Sequence, residues 1–511
     1  MTNTLPKGLT AADFASAITE LTAIVGAQNA LIDQDQLASY RKPYVPVKDD
    51  EFVLSGALMP VSVEQIQRIL TVCNKYRIPV WPISTGRNIG LGSALPASSG
   101  QLILDLGKMN RILEVDEELG TALIEPGVTY RQLQEYIDAK KLPFLVDAPS
   151  PGPIVSPLSN TLERGNGYTT NHDHMKSFAG MEIVLANGDV IKTGMGELPN
   201  CKSWQAYRYG YGPYIDGLFT QSNFAIVTKM GIFLTPKPEG AKAFAVHYNN
   251  PEDIVKAIDV FRKLRMAEVI TVPGSALSGL TMLAFGRKRT DLYKGSGSIP
   301  DEAINGLLKQ HGIPQWRIGG VVYGDEQETA IKLKKIEEAF KATNPSKMFV
   351  DGNGDGPGSA ADVAVATGHI SLENFRILNY VGGGGVIWHM PVSAMKGRYV
   401  DQLAKLSKEI LNRHGFDYLS MNWLDGRDMH KTTGIFFNHS DPAQVEAARA
   451  CYDELVQLTS KEGFGNYRAS VHYMDKQADL FGQNTRNLHR NIKKALDPNG
   501  IIAPGKSGIT I

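Results

Sequence analysis

Cysteine is scarce in this sequence, and its scarcity argues against two kinds of site. Cys73, Cys201 and Cys451 are the only cysteines among 511 residues, and no two of them form a C-x-x-C pair. A disulfide framework or a cysteine-ligated metal cluster needs more thiols at closer spacing, so we expect these three to be unpaired structural thiols.

The sequence also lacks an excess of charge of either sign. Lys and Arg together number 53, and so do Asp and Glu, which leaves no net charge. A protein that binds nucleic acid over a broad surface needs a basic balance that is absent here. We therefore expect no nucleic-acid partner, although a local basic patch stays open.

Long apolar runs are missing as well. No stretch approaches the ~18 uninterrupted apolar residues that a membrane-spanning helix needs. The start, MTNTLPKGLTAADF, has no basic segment followed by an apolar one, so no signal peptide is expected. These absences predict a soluble protein without a membrane partner, located in the cytoplasm, or in the periplasm if a partner carries it there.

What the sequence does contain is an alternation of helical and strand patterns. VSVEQIQRILTVCNKYRI has a helical apolar stripe, and Ser62 with Gln65 gives a capping-box signal at its start. Thr129 and Gln132 repeat that signal before a second helix, and the strand patterns IPVWPI and QLILDL lie between the two. This alternation predicts layers of helix and sheet rather than an all-β fold.

The pattern changes twice further along the chain. GMEIVLANGDVIKTG predicts a hairpin that turns at Asn187-Gly188, and FAIVTKMGIFLTPKP predicts another strand pair. Beyond Lys237, amphipathic helices such as DEQETAIKLKKIEEAF and VDQLAKLSKEILNRHG lie between short strands. We predict an α+β protein with one domain at residues 1–240, a second at 241–463, and a segment at 464–511 that returns to the first.

A glycine-rich loop, WPISTGRNIGLGS, follows the IPVWPI strand. Small residues let the backbone approach a ligand and turn its N–H groups toward it, which suits phosphate. Gly90, Gly92 and Leu95 give G-x-G-x-x-L, which lacks the third glycine of the nicotinamide-binding fingerprint, and no capped helix follows directly. The loop therefore predicts a phosphate-containing ligand but not a Rossmann-type site.

Several long motifs resemble one known family. They are WPISTGRNIGLGS, LILDLGKMNRILEVD, ALIEPGVTYRQL, NTLERGNGYT, GMEIVLANGDVIKTGMG and YGYGPYIDGLFTQSNFAIVTKMG, followed at the end of the chain by GNYRASVHYMD and DPNGIIAPGKSG. In this order they resemble the vanillyl-alcohol oxidase / p-cresol methylhydroxylase flavoproteins. The resemblance runs nearly end to end, and it implies a two-domain FAD-binding fold of the p-cresol methylhydroxylase type whose second α+β domain caps the flavin.

The resemblance also implies roles for residues at matching positions. Tyr467 and Arg468 match an adjacent pair that, in the family, binds the substrate's phenol oxygen as phenolate, and a guanidinium with a phenol O–H would favour that anion. Tyr168 and His430 match positions near the active site. The residues implied to hold FAD, around its pyrophosphate, its flavin or its adenosine half, are Pro82, Ile83, Ser84, Thr85, Gly86, Arg87, Asn88, Leu91, Pro149, Ser150, Asn160, Gly165, Ile226 and Lys506.

Three departures from the family pattern affect the expected chemistry. Leu91 stands where a second phenolate-binding tyrosine is common, which leaves room for a bulkier phenol, and Ser150 stands where the oxidases have an aspartate. Val386 stands where the oxidases link the flavin through histidine, so a histidyl link is excluded there. FAD is expected to be either non-covalent or linked through a tyrosine, for which Tyr380 in LNYVGGGG is the nearest candidate.

No metal site is expected. Asp351, Asn353 and Asp355 copy the first half of a calcium loop, and Asp362 stands at its last ligand position. Proline and glycine at 357 and 358 interrupt that loop, and a strand pattern rather than a helix precedes it. The family carries a segment related to the H-D-H at 172–174 without a metal.

The expected reaction is oxidation of a para-alkyl or para-allyl phenol at its benzylic carbon. Hydride passes to flavin N5, and the resulting quinone methide either adds water to give an alcohol or loses a proton to give an alkene. Glu373, Asp425 and His430 are the candidates for activating the water. The resemblance to the hydroxylase branch implies a c-type cytochrome subunit as electron acceptor and a homodimeric core. An oxygen-using phenol oxidase of the same family, an FAD-dependent hydroxy-acid or lactone dehydrogenase, and a flavin-free binding subunit are the alternatives.

Overall fold

The computed structural model describes residues 4–42, 44–48, 50–150, 152–350 and 358–511. Asp351, Asn353 and Asp355 of the calcium-like segment lie outside the described residues, while Asp362 lies within them. Among the described residues, no helix combines the length and the apolar character needed to cross a membrane.

The first half of the chain forms short strands that are interleaved with helices. Its helices are α1 (Ala11–Val25), α2 (Gln34–Leu37), α3 (Val63–Tyr76), α4 (Tyr130–Lys140) and α5 (Pro157–Leu162). Its strands are β1 (Ala30–Leu31), β2 (Gly56–Leu58), β3 (Val80–Ile83), β4 (Leu102–Asp105), β5 (Ile112–Asp116), β6 (Thr121–Ile124), β7 (Phe144–Leu145), β8 (Phe178–Val184), β9 (Val190–Lys192), β10 (Ile226–Phe233) and β11 (Thr235–Pro236).

Both predicted capping signals lie at helix starts. The Thr129 hydroxyl accepts from Gln132 N at 3.2 Å, and the Gln132 side chain accepts from Thr129 N at 2.8 Å, which completes the capping box of α4. At α3, Ser62 accepts from the backbone of Gln65, but the Gln65 side chain accepts from Val61 N instead. The α3 signal therefore located the helix correctly, although only half of the reciprocal pair forms.

Two sheets organise this half. A four-stranded sheet has the order β1-β2-β4-β3, and a five-stranded sheet has the order β5-β6-β10-β8-β9. The hairpin prediction at Asn187-Gly188 is confirmed, since β8 pairs antiparallel with β9 across that turn. The second predicted strand pair is wrong, because β10 is one continuous strand between β6 and β8, whereas β11 pairs with β7.

The second half of the chain is built on one large antiparallel sheet. Its strands are β12 (Ala241–Tyr248), β13 (Gly274–Ser278), β14 (Trp316–Tyr323), β15 (Lys347–Phe349), β16 (Gly384–His389), β17 (Val392–Ala394), β18 (Leu419–Leu424) and β19 (Asp428–Asn438). They lie in the order β15-β12-β14-β13-β18-β19-β16, with β17 also on β19. Its helices are α6 (Ile254–Met266), α7 (Gly279–Ala284), α8 (Arg289–Leu292), α9 (Asp301–His311), α10 (Glu326–Lys341), α11 (Ser359–Ala366), α12 (Gly397–Arg413) and α13 (Pro442–Lys461).

The amphipathic helices predicted from sequence pack on this sheet. Phe261 of α6, Phe340 of α10 and Leu403 of α12 are buried in one core with Phe244 and Val246 of β12. The α+β prediction is confirmed by this mixture of antiparallel sheet and packed helices. The sheet changes between Pro236 and Ala241, where the sequence predicts a division, and that division into domains stays a prediction.

The C-terminal segment returns to the first half of the chain. After α14 (Met474–Asp479) and α15 (Gln483–Leu496), the backbone pairs with β3, since Val80 N donates to Ile501 O at 2.8 Å and Ala503 N donates to Val80 O at 2.7 Å. The return is closed by a fully buried ion pair, Lys493–Asp497, at 2.7 Å.

Each member of this ion pair is also bound to backbone. Lys493 Nζ donates to the carbonyls of Asn223 and Ile502 at 2.6 and 2.7 Å. The Asp497 carboxylate accepts from the N–H groups of Ile501 and Ile502 at 3.0 and 2.8 Å. A buried ion pair needs such additional bonds to offset the cost of removing two charges from water.

Asp497→Ala tests this closure. The variant leaves the Lys493 ammonium buried without its carboxylate, so we expect it to lower the free energy of unfolding by about 3–5 kcal/mol. Asp401→Ala, which breaks the exposed Lys405–Asp401 pair within α12, is the control and should cost about 0.3–0.5 kcal/mol. Denaturant unfolding of both variants makes the comparison, and equal losses would contradict a special role for the buried pair.

Candidate active site

A cavity of about 790 Å³ lies where the three parts of the chain meet. Its walls come from the glycine-rich loop, from the segment around α5, from β13, β18 and β19, and from the C-terminal return. The residues predicted to bind cofactor or substrate that line it are Pro82, Ile83, Ser84, Gly86, Arg87, Asn88, Leu91, Pro149, Ser150, Asn160, Gly165, Tyr168, Ile226, His430, Tyr467, Arg468 and Lys506.

The glycine-rich loop packs tightly against the large sheet. A Cβ at Gly90 would lie 2.3 Å from the ring of Trp388 on β16, and a Cβ at Gly92 would lie 2.8 Å from Val471. The Trp388 indole N–H donates to Ile89 O at 3.1 Å, which holds the loop against the sheet. Glycine is therefore required by packing as well as by backbone conformation, since both positions have positive φ.

A second close backbone approach follows α5. A Cβ at Gly165 would lie only 1.8 Å from Asn160 Oδ1. That oxygen lies 2.6 Å from His174 Nδ1, so the Asn160 side chain is held in place by a buried partner. This wall of the cavity consequently exposes backbone rather than side chain at Gly165.

Tyr467 and Arg468 enter the cavity from the start of the C-terminal segment. Tyr467 N donates to Met390 O at 3.3 Å beside the isolated bridge between Pro391 and Asn466. The Tyr467 ring lies 4.9 Å from the His430 ring, and its hydroxyl has only the Met390 thioether as partner, at 3.7 Å. A thioether is a weak acceptor, so the Tyr467 O–H stays available to a ligand.

Arg468 has one fixed and one available edge. Its Nε donates to the carbonyl of Glu163 at 2.7 Å, and its guanidinium lies over the Tyr467 ring at 5.5 Å. Its Nη2 is buried and has no hydrogen-bond partner among the described residues. A buried donor without a partner is costly, so this atom is placed to bind an acceptor on a ligand.

Lys506 adds a second cation beside this pair. It forms an ion pair with the carboxylate of Glu163, which also lines the cavity. Burial raises the pKa of Glu163 and is the largest single influence, but the charges of Lys506 and Arg468 outweigh it and hold that pKa below its usual range. Glu163 is therefore ionised between two cations.

Another group of the cavity wall carries hydroxyl and amide side chains. The Tyr168 hydroxyl lies 2.6 Å from Ser150 Oγ, and the Asn374 side chain donates to both oxygens at 3.3 Å. Tyr168 N donates to Asp147 Oδ1 at 2.6 Å, and the Tyr168 ring meets Trp423 edge-on at 4.7 Å. Burial raises the pKa of Tyr168, which keeps it a neutral hydrogen-bonding group.

His430 lies on β19 and also lines the cavity. Its Nδ1 lies 3.3 Å from the side-chain nitrogen of Asn166, and its Nε2 lies 3.3 Å from Asp428 Oδ1. Glu373, another residue considered for activating water, also lines the cavity. The structure thus brings two of the three candidates for that role to one site.

Asp425, the third candidate, must be corrected. It does not line the cavity but lies 2.6 Å from His172 Nε2 and 3.3 Å from Arg265 Nη2. The two histidines of the H-D-H segment are likewise engaged, His172 with Asp425 and His174 with Asn160. In the described part of the chain, no group of three His, Cys, Asp or Glu is placed to hold a metal ion.

Tyr380 is a second correction, because its side chain is directed into the core. Its hydroxyl donates to Asp417 Oδ2 at 2.8 Å, the residue is 2% exposed, and it is not among the residues that line the cavity. Burial, with the Asp417 charge, raises its pKa well above the usual range. Thr85 and Val386 also lie outside the cavity wall, whereas Trp388, two residues beyond Val386, forms part of it.

Sequence reasoning missed several residues of the wall. Glu163 lies inside the NTLERGNGYT motif and Gln221 inside YGYGPYIDGLFTQSN, so their positions were available although their contacts were not. Asn374 gave no such signal, because it reaches the cavity from a 3₁₀ turn at Glu373–Asn379 in the second half of the chain.

Comparison with known proteins gives this geometry its context. Residues 55–194 match the family described as FAD binding domain, and residues 377–507 match the C-terminal domain of FAD linked oxidases. The 4-cresol dehydrogenase (hydroxylating) flavoprotein subunit of Pseudomonas putida is 38% identical over 511 residues, which cover 99% of this chain and 98% of that protein. The chain belongs to the vanillyl-alcohol oxidase / p-cresol methylhydroxylase flavoprotein family.

Solved structures of the family agree with this assignment. A structure of p-cresol methylhydroxylase with substrate bound is 38% identical, with a TM-score of 0.96 and 99% of each chain covered. The 4-ethylphenol oxidase of Gulosibacter chungangensis, in complex with isoeugenol, is 33% identical, with a TM-score of 0.94 and the same coverage. The predicted fold of the p-cresol methylhydroxylase type is confirmed, and this flavoprotein is an FAD-dependent oxidoreductase.

The cavity residues fit FAD. The cavity of about 790 Å³ extends along the glycine-rich loop, where Arg87 supplies positive charge for a pyrophosphate. The buried Nη2 of Arg468, which has no partner among the described residues, fits an acceptor on a ligand in the same cavity.

Proposed function

We propose that this flavoprotein is a hydroxylating dehydrogenase that oxidises a para-alkyl or para-allyl phenol at its benzylic carbon. The observation that carries the proposal is a pair of adjacent residues in the cavity wall whose donors, the Tyr467 hydroxyl and the buried Nη2 of Arg468, have no strong acceptor among the described residues. The names of its relatives support it, since they act on 4-cresol, p-cresol and 4-ethylphenol.

The pair would bind the phenol oxygen and lower its pKa. A guanidinium and an O–H directed at one oxygen stabilise the anion more than the neutral phenol. Electron density from the phenolate then assists the departure of hydride from the para benzylic carbon. Bound FAD supplies the hydride acceptor.

Loss of the phenolic proton and of hydride converts the substrate into a quinone methide. Water adds at the benzylic carbon, its proton is removed, and the phenol oxygen regains a proton to give the alcohol. His430 is the group we assign to hold the proton from water, because its ring lines the cavity between Asn166, Asp428 and Tyr467. Glu373 is the second candidate on the same wall.

Leu91 favours phenols that are larger than cresol. It is buried in the cavity wall where a tyrosine is common in the family, and an apolar side chain there offers contact area but no hydrogen bond. Leu277, Met282 and Phe285 extend this apolar wall. Allyl-, propenyl- and lignan-type phenols are therefore the first substrates to compare.

Replacing the two donors tests the phenolate site. Arg468→Met should lower kcat/KM for a para-alkylphenol by about 10²–10³-fold, because charge that develops on the oxygen loses its partner. Tyr467→Phe should lower it by about 10- to 100-fold. Arg449→Met, which removes an arginine that pairs with Glu51 outside the cavity, is the control and should leave kcat/KM unchanged. Retained phenol turnover in Arg468→Met, or a preference for hydroxy acids over phenols, would refute the proposal.

FAD is proposed to be bound non-covalently. Tyr380 is directed away from the cavity, and Val386 cannot form a histidyl link. Acid precipitation of the holoenzyme should therefore release all the yellow flavin into the supernatant, where its absorbance is measured. Flavin that stays with the precipitated protein, located by peptide mapping, would show a covalent link at another residue.

Electrons are proposed to leave to a c-type cytochrome subunit, with a homodimer of this chain as the core of the assembly. Ser150 supports this acceptor, because the family's oxidases have an aspartate at the matching position. In this chain the Ser150 hydroxyl is hydrogen-bonded to Tyr168 and Asn374. Enzyme reduced anaerobically should reoxidise rapidly with cytochrome c and slowly in air-saturated buffer, as followed by flavin absorbance. Rapid reoxidation in air with stoichiometric peroxide would identify an oxidase instead.

A further inference from the structure

Glu163 contacts two cations of the cavity wall, Arg468 and Lys506, through different atoms. It follows directly on α5, and its carbonyl accepts from Arg468 Nε at 2.7 Å. Its carboxylate forms the ion pair with Lys506. One residue therefore fixes the two cations, which lie 38 positions apart in the C-terminal segment.

Gln221 also helps to fix the position of Tyr467 and Arg468 beside Glu163. Its side-chain nitrogen donates to the carbonyl of Tyr467 at 2.8 Å and to that of Glu163 at 3.2 Å. Its own backbone N–H donates to Leu162 O at 2.8 Å. These hydrogen bonds therefore hold Tyr467 and Arg468 against the end of α5.

The charges in this group do not cancel. Arg468 and Lys506 contribute +1 each and Glu163 contributes −1, so this group of three side chains carries +1 rather than +2. The ionised state of Glu163 follows from the two cations beside it, which hold its pKa low despite burial. A stronger positive charge would stabilise bound phenolate more in the ground state, and such stabilisation does not lower the barrier to hydride loss.

We propose that Glu163 is a positioning residue that fixes Arg468 and Lys506 and limits their combined charge, so that it sets both the acidity of the bound phenol and the reduction potential of the flavin. The statement about the phenol rests on the proposed function. The statement about the flavin rests only on Glu163 lining the cavity of an FAD enzyme.

The experiment uses Glu163→Gln holoenzyme with 4-nitrophenol as probe. This phenol has no benzylic hydrogen to lose, and its anion absorbs in the visible, so its pKa in the complex can be titrated. Removal of the carboxylate should lower the pKa of bound 4-nitrophenol by about one unit. It should also make the midpoint potential of FAD more positive, because an added net positive charge favours the reduced cofactor.

Two variants separate charge from structure. Glu182→Gln removes a different carboxylate, which pairs with Lys229 at 2.8 Å outside the cavity, and should shift neither quantity. Lys506→Met keeps Glu163 and removes one cation, so it should raise the pKa of the bound probe and make the potential more negative. These opposite signs cannot arise from general loosening of the fold, and Lys506→Met carries the test if Glu163→Gln does not fold.

The results distinguish the proposed phenolate site from the proposed role of Glu163. If wild-type enzyme binds 4-nitrophenol without lowering its pKa, the phenolate site is refuted, and the FAD potentials alone decide the role of Glu163. If neither Glu163→Gln nor Lys506→Met shifts the potential, or if both shift it in one direction, the role of Glu163 is overturned while the phenolate site stands.

Discussion

The active site depends on the buried Lys493–Asp497 ion pair, because that pair closes the C-terminal return. The return carries Tyr467, Arg468 and Lys506 to a cavity whose other walls are made by much earlier parts of the chain. Both charged groups of the ion pair are bound to backbone at Asn223 or at 501–502, so the closure fixes main chain rather than only side chains. The contacts that make this closure lie entirely within the protein chain.

Two polar groups of the cavity wall differ in character. Arg468 and Lys506 lie around the Glu163 carboxylate, whereas Tyr168, Ser150 and Asn374 form a cluster of neutral hydrogen-bonding groups. Burial raises the pKa of Tyr168 and so keeps its hydroxyl neutral. The proposed phenolate therefore has a charged partner in the first group and only neutral partners in the second.

Local features of the fold could be predicted from sequence, whereas long-range placement could not. Thr129 with Gln132 and the turn at Asn187-Gly188 were readable because their hydrogen bonds span only a few residues. The β10 prediction failed because both neighbours of that strand, β6 and β8, lie far away in sequence. Tyr380 shows the same limit at the site, since its orientation is decided by Asp417, 37 residues later, and no motif encodes that contact.

Closure of the return and binding of FAD must be thermodynamically linked. The cavity wall is incomplete until residues 467–506 are docked, so a chain with an undocked return lacks Arg468 and Lys506 at the site. A ligand that binds only the closed state stabilises that state by mass action. The ion pair and the cofactor thus act on the same equilibrium, the docking of the C-terminal segment.

Glu163 also contributes to this docking. It bonds Arg468 and Lys506 to the end of α5 and so joins the docked segment to the cavity wall. Weakening the return should therefore lower FAD affinity even when no residue that contacts FAD is changed.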